Sequence, residues 1–430
     1  MGKMRDEKAI NVNLDYRFKI LVFTALLTPL LLQLTGSWIF KISDDIIFVL
    51  VLLDALVAVI KKKIKLTYDI ISMLMISLLI MPLLAGVFYA IIYDNQPMVV
   101  LLQLRQYKYL FMFLILMYYS REDIFDILFK NARLIAYISV PVAIVQRYLI
   151  SADTGDVVTG LFGHGASGTM TLFLLVLFFA EFSYRLSRGW TLLGWYWLFW
   201  LPIGLNETKI AFFIAPVLFV LALIVTKKIS LKNVTALLLC AVVFLYATGT
   251  LYNTVYETNI MTYFSKDKLI AYMYDIGEGD MGRMQKVNIS LDIIGRTPLN
   301  AIIGYGLGSG FSGEYSQTTG IIAEKYDADN LFAGTRPQVF NSLIDTGYLG
   351  VAVQFLFVIV LLLKLLFSQG TYRLLHYTAI FSLAILFVGI LYAEILTISN
   401  LAFLIFTSIY LACINRPGVS LPQNSETEVI

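Results

Sequence analysis

The chain is short of charge. Of 430 residues only 14% are Asp, Glu, Lys or Arg, against about 25% in a soluble domain. Hydrophobic residues make up 59%, and the mean hydropathy is +0.79. A soluble fold of that composition would lack polar residues to cover its surface. A water-soluble enzyme, a disordered chain and a nucleic-acid binder are therefore excluded. Cysteine is scarce too. Cys240 and Cys413 both fall in apolar runs, which removes a disulfide framework and reads as two small hydrophobes. His164 and His376 are the only histidines, too few for a His-built metal cluster. Strand-like alternation is also missing from the apolar runs, so β-barrel spans are excluded.

What is present is a series of long apolar runs. They predict an all-α polytopic membrane protein with helices over 20–40, 45–60, 68–93, 98–119, 131–150, 167–184, 190–204, 209–226, 233–251, 342–366, 374–393 and 396–414. A span needs about 20 apolar residues, so the composition allows about a dozen spans and little else. The first run follows Lys3, Arg5, Lys8, Arg17 and Lys19 and is too long for a signal-peptide core, so it reads as an uncleaved helix.

Sidedness of charge decides orientation, and the net charge of +3 does not. With the N-terminus cytoplasmic, inner loops hold "KKKIK" (61–65), "REDIFDILFKNAR" (121–133), Arg185, Arg188, "KKISLK" (227–232), Lys364, Arg373 and Arg416. Counting the five N-terminal cations, 20 of the 32 Lys and Arg lie inside and 12 outside. Both termini are then cytoplasmic. The expected organisation is an N-terminal bundle over 1–251, a large outer loop over 252–341, C-terminal helices over 342–414 and a tail over 415–430, together one membrane domain.

The long loop should carry structure of its own. Met281, Met284, Val287, Leu291 and Ile294 recur at helical spacing, while Arg283 and Lys286 fall on another face. "GYGLGSG" (304–310) follows. It lacks a Lys-Ser/Thr ending and a preceding strand, so it is no nucleotide loop; a plain turn and a phosphate-cradling turn both remain open. "WTLLGWYWLFW" (190–200) holds four of the five tryptophans, read as an interfacial belt or, alternatively, a sugar-stacking surface.

The outer cations run against the sorting rule. Arg105 and Lys108 share one helix face, Arg147 sits near the outer end of its helix and Lys209 begins another. Arg283, Lys286, Arg296 and Arg336 belong to the loop. Each reads either as a snorkelling anchor or as part of a cationic cavity. Intramembrane acids are few, so the cavity reading implies an anionic ligand. Guanidinium groups suit phosphate, and a lipid-linked pyrophosphate fits an anion held at the outer leaflet. Asp54 and Glu181 face inner-loop cations. Glu207, Asp345 and Glu394 lie at outer helix ends, as solvated end charges or as general bases for a sugar hydroxyl. Asp44 and Asp45 occupy the first outer loop, a placement shared with membrane glycosyltransferases of the GT-C type.

Most of the chain resembles the O-antigen polymerase and ligase superfamily. "GLFGHGASGTMTLFLL" (160–175) is similar to its Gly-Phe turn into a mid-chain helix. "NETKIAFFIAP" (206–216) is similar to its polar-basic-small helix entry, with Lys209 where an Arg is usual. "GRMQKVNISLDIIGRTPLNAIIGYGLGSG" (282–310) resembles its Arg-led loop helix and glycine-rich turn. "FNSLIDTGYLGVAVQFLFVIVLL" (340–362) resembles its return to the membrane. Two departures stand out. Phe340 precedes Asn341 where ligases usually place a His, and the stretch from Asn341 to Gly347 is about one helical turn short.

The resemblance implies a bacterial inner-membrane, GT-C-like protein with about twelve helices and one large periplasmic loop. It implies a Wzy-type polysaccharide polymerase that joins undecaprenyl-pyrophosphate-linked oligosaccharides, with lipid pyrophosphate leaving. Its partners would be those lipid-linked sugars, membrane lipids and, in some systems, a chain-length regulator, with no nucleic acid. It needs no nucleotide, metal or other cofactor, because the donor is activated and Arg groups can stabilise the leaving group. The expected catalytic residues are Glu207, Asp345 and Arg283. The expected substrate contacts are Arg105, Lys108, Arg147, Lys209, Lys286, Arg296, Arg336 and Asn341. The alternatives are a ligase passing chains to lipid A core, a flippase for lipid-linked sugars and a structural membrane scaffold.

Overall fold

The computed structural model describes residues 39–61, 69–93, 96–108, 122–150, 158–162, 167–188, 194–206, 208–227, 229–276, 280–312, 319–326, 331–332, 336–367 and 373–392, with a few isolated positions. The expected spans at 20–40 and 396–414, together with Glu207 and Glu394, lie outside the described residues.

The described chain is helical apart from one two-residue antiparallel ladder. The bundle begins with α1 (Ile39–Ile60), α2 (Ile70–Tyr93), α3 (Pro97–Gln106) and α4 (Glu122–Val145), the last continued by a π turn at Gln146–Ile150. Next come α5 (Ser167–Arg188), a 3-10 turn (Gly194–Phe199) leading into α6 (Trp200–Leu205), α7 (Ile210–Thr226) and α8 (Leu231–Tyr256). A mixed segment follows: a 3-10 turn (Ile260–Phe264), α9 (Lys266–Tyr274), β1 (Asp275–Ile276), β2 (Asp280–Met281), α10 (Arg283–Ile294), α11 (Pro298–Ile303) and α12 (Ile321–Tyr326). The bundle closes with α13 (Gln338–Phe367) and α14 (Arg373–Tyr392). Among the described residues six helices are long and apolar enough to cross a membrane: Ile70–Tyr89, Ala132–Leu149, Ser167–Arg188, Leu231–Tyr256, Gln338–Phe367 and Leu374–Tyr392. The protein is thus an all-α, membrane-embedded chain.

The centre of the bundle is α5, buried along almost its whole length and packed on α7 and α14. Phe178, Phe179 and Phe182 stack with Phe219, Phe381 and Trp200 at ring-centroid distances of 4.7–6.4 Å. Lipid tails are as apolar as leucine, so close packing rather than water exclusion holds such a bundle together. Each good aromatic pair adds about 0.5–1.5 kcal/mol. The expected tryptophan belt is corrected here for two of its members. Trp197 and Trp200 turn inward onto Phe178 at 5.8 and 5.1 Å, because the 3-10 turn aims both at α5. Apolar side chains on the other helices instead face outward, among them Leu84, Ile91, Val217 and Leu239.

Three further expectations change. Asp44 and Asp45 do not lie in a loop, since α1 begins at Ile39 and carries both. The apolar run at 98–119 is interrupted: α3 ends at Gln106, and Tyr107 caps it through its amide to Leu104. The run at 342–366 belongs to a longer helix that is broken. At Gly347 the backbone adopts φ +61° and ψ −159°, a conformation natural only to glycine. A β-carbon there would meet the Ala301 carbonyl oxygen at 2.6 Å.

The break frees the carbonyls of Ile344 and Asp345. They accept from the amides of Tyr305 and Gly306 at 2.6 and 2.9 Å, and the Leu307 amide donates to the Pro82 carbonyl at 3.1 Å. The glycine-rich turn is thereby pressed into the bundle. A β-carbon at Gly306 would approach the Ala85 carbonyl carbon to 2.5 Å. Irregular backbone at membrane depth survives only where protein satisfies it, and here α2 and α13 do so.

Candidate functional site

The end of the bundle that carries the 257–337 segment gathers most of the residues singled out by the sequence. At its centre is the glycine-rich turn. Gln103 of α3 donates from Nε2 to Asp345 Oδ2 at 2.6 Å, while its Oε1 accepts from the Gly308 amide. Asp345 is 1% exposed. Its carboxylate orients the glutamine that holds the turn. A general base must come within hydrogen-bond reach of the proton it takes, so a sugar hydroxyl reaches Asp345 only if the turn lifts. Nearby, Tyr89 of α2 donates from its hydroxyl to Asn300 Oδ1. The turn amides of residues 305–308 are thus spent on protein oxygens, and the phosphate-cradling reading of this turn falls away.

Arg105 and Lys108 are not unpaired. Both contact Asp45 of α1 at 2.6 Å, through Nε to Oδ2 and Nζ to Oδ1. The expectation of cations with few acids to match them is corrected at this point, because the helical position of Asp45 brings its carboxylate between them. Lys108 is 2% exposed, and a buried ammonium needs such a partner.

Four of the remaining cations find tyrosine rings. Arg147 stacks over Tyr256 at 4.8 Å, Lys209 over Tyr263 at 4.6 Å, Arg283 over Tyr392 at 4.2 Å and Arg296 over Tyr326 at 5.1 Å, all within cation–π range. A ring face attracts a cation without neutralising it, so positive charge persists at this end of the bundle.

Arg147 and Lys209 border one tyrosine cluster. Tyr252 and Tyr256 lie 4.7 Å apart, and Tyr256 and Tyr263 pack on the same core of Phe212, Tyr252 and Ile260. The π turn that carries Arg147 is fixed by Gln146, which accepts from the amides of Thr159 and Gly160 at 3.0 and 2.8 Å. Single π turns inside helices often mark functional positions. Arg147 is 9% exposed. Its Nη2 donates to the Val255 carbonyl at 3.0 Å, and its buried Nη1 has no hydrogen-bond acceptor among the described residues. Across the cluster, Asn206 donates to Thr171 Oγ1 at 2.6 Å and accepts from the Thr208 amide at 3.0 Å. This fixes the entry to α7 where Lys209 sits.

The loop residues divide. Arg283 and Lys286 both begin α10, but Lys286 is 1% exposed and lies on the packed face with Val287, Ser290, Ile293 and Ile294. The expectation that Lys286 falls on a face apart from the apolar residues is corrected: α10 packs on α13 and is turned so that Lys286 shares its buried face. Arg336 donates to the Gly310 carbonyl at 3.2 Å and so ties the loop to the glycine-rich turn. Asn341 is half-buried in the first turn of α13, its amide bonded to the Pro337 carbonyl. Glu207 lies outside the described residues.

At the opposite end, Glu181 pairs with Arg185 at 2.9 Å and Asp54 with Arg17 at 2.9 Å, in line with the reading of both acids as partners of nearby cations. Among the described residues no group of three or more His, Cys, Asp or Glu side chains is placed to hold a metal.

Sequence reasoning missed the tyrosines. Tyr252, Tyr256 and Tyr263 stand together in "YNTVYETNIMTYF", and that density of rings beside a span was the available signal. It missed Gln103 as well, an amide inside an apolar run. Comparison with known proteins finds no matching family model, no matching curated protein and no matching solved structure.

Proposed function

We propose that this chain is a polyprenyl-pyrophosphate-dependent glycosyltransferase, a Wzy-type polymerase that joins undecaprenyl-pyrophosphate-linked oligosaccharides at the outer face of a bacterial inner membrane. In this reading the chain crosses the membrane about twelve times in a GT-C-like arrangement. Both termini are cytoplasmic, and the 257–337 segment lies in the periplasm. A hydroxyl of the acceptor repeat attacks the anomeric carbon of the donor chain. The bond to the pyrophosphate oxygen breaks, and lipid pyrophosphate departs.

The carrying observation is Arg147: a buried guanidinium with one nitrogen lacking an acceptor among the described residues, beside tyrosines that leave its charge intact. Charge grows on the leaving pyrophosphate as the bond breaks, and a fixed guanidinium that binds it more tightly at that moment lowers the barrier. Lys209 on the far side of the tyrosine cluster and Arg283 over Tyr392 serve as further contacts. Arg296 and Arg336 of the loop segment, Asn341 of α13 and the buried Lys286 of α10 stay in the proposed site. Arg105 and Lys108 contribute less, since Asp45 already offsets their charge. Tyrosine faces beside the cations suit stacking on sugar rings. The base is proposed to be Glu207 or Asp345.

The test is complementation of a strain lacking the gene, with surface polysaccharide resolved by size. Arg147→Ala should give single repeat units on the acceptor at unchanged protein level. Arg147→Lys should retain part of the long-chain product. Full-length chains in Arg147→Ala, Lys209→Ala and Arg283→Ala alike would overturn the reading. Complete loss of sugar from the acceptor would point to a ligase instead.

A further inference from the structure

Along α13 the residues Gln338, Ser342, Thr346, Gly350 and Gln354 recur at every fourth position, and all are buried. They form a polar ridge in an otherwise apolar span. Gln338 and Gln354 both donate to Ser342 Oγ, at 3.2 and 2.6 Å, and Thr346 Oγ1 donates to the Ser342 carbonyl at 2.8 Å. The ridge ends in a small pocket against α2, lined by Ser77, Met81, Pro82, Tyr107, Thr346 and Gln354. Gly350 borders this pocket and keeps it open: a β-carbon there would overlap the Thr346 hydroxyl. Gln354 is 5% exposed. One end of its carboxamide is spent on Ser342, and Oε1 is buried without a hydrogen-bond partner among the described residues.

The α2 and α13 walls of the pocket belong to helices apolar and long enough to span a membrane, Tyr107 closes it beside α3, and Gln354 Oε1 is itself buried, so bulk solvent cannot satisfy that oxygen. Of the hydroxyl-bearing residues lining the pocket, Ser77, Tyr107 and Thr346, the first and last have their protons committed elsewhere. Ser77 Oγ donates to the Met73 carbonyl at 2.8 Å, and Thr346 to Ser342. Three oxygens therefore remain as acceptors. An occupant must donate, which a lipid tail cannot do. A cation would find no carboxylate among the lining residues to offset its charge. Water donates twice, and the space is of the size that holds about one such molecule. We propose that the pocket is a resident-water site. A single ordered water bridges Gln354 Oε1 to the hydroxyls of Ser77 and Thr346 and fastens α13 to α2 just beyond the break at Gly347. This inference is independent of the proposed glycosyl transfer.

Hydroxyl-radical footprinting by X-ray radiolysis tests it on the full chain in lipid nanodiscs, because a bound water generates the radical beside its own neighbours. Met81 and Tyr107 should be oxidised, while Met75, fully buried on the same helix, stays silent. Gln354→Leu, the gentler Gln354→Met and the pocket-filling Gly350→Ala should each reduce Met81 and Tyr107 to the Met75 background. Silence of Met81 and Tyr107 in the unaltered chain would overturn the site. So would labelling that persists in all three monodisperse variants.

Discussion

Most cations singled out at the loop end are held either by a carboxylate or by a tyrosine ring, and the difference decides what each can do. Asp45 serves Arg105 and Lys108 together. Removing one partner of a buried ion pair costs about 3–5 kcal/mol, because the other charge is left uncompensated. Asp45→Ala should therefore lower stability by an amount near the bottom of that range, since Asp45 is itself 23% exposed. Thermal unfolding in detergent measures it, and adding Lys108→Met to Asp45→Ala should recover most of the loss. The tyrosine-held cations behave differently. A cation–π contact contributes about 0.5–2 kcal/mol and the Tyr256 hydroxyl also donates to the Leu205 carbonyl at 2.8 Å, so Tyr256→Leu should cost a modest amount of stability, about 1–3 kcal/mol. It should, however, weaken binding of a pyrophosphate-bearing lipid, read by titration of the purified protein. Neither class was legible in the sequence. Asp45 and Lys108 stand 63 positions apart, and Arg147 and the Val255 carbonyl 108 apart. Pairing over such separations follows from helix packing and not from any local pattern.

Helices were legible where the apolar run is the whole signal. Each span in the described residues coincides with a run of the sequence to within a few positions, because twenty apolar residues in lipid have one low-energy backbone. Interruptions were not legible. Gly347 lies in a run with no proline beside it, and its break exists only because the 304–310 turn supplies amides to the freed carbonyls. The face of α10 was misread for a related reason. Lys286 enters the packed side at the cost of burying an amine, a tertiary demand that overrides periodicity. The break gives a test of its own. Gly347→Ala forces a side chain into φ +61° and against Ala301, with a strain of about 1–3 kcal/mol. The variant should show a lower unfolding temperature and a turn at 304–310 newly open to protease.

Across the whole molecule the described cations divide between two ends. Arg147, Lys209, Arg283 and Arg336 gather where the 257–337 segment folds over the bundle. Lys61, Lys227 and Lys364 mark the other end, beyond α1, α7 and in the last turn of α13. The orientation proposed above predicts the sidedness of labelling. In intact cells an impermeant maleimide should reach a cysteine placed at Ser312 or Lys268 and fail to reach one at Lys227. The reverse pattern would invert the topology and place the cationic site in the cytoplasm.

The glycine-rich turn is bonded at once to α2 through Pro82, to α3 through Gln103 and to α13 through Ile344 and Asp345. It works as a keystone does in an arch. The segment over the bundle is no freely hinged lid: it lifts from Asp345 only by loosening three helices together. Any signal received by the segment is mechanically a signal to the span that carries Asp345 and the polar ridge. An insertion of a single residue between Gly304 and Gly308 would disturb the packing of those helices as deeply as a lesion inside the membrane.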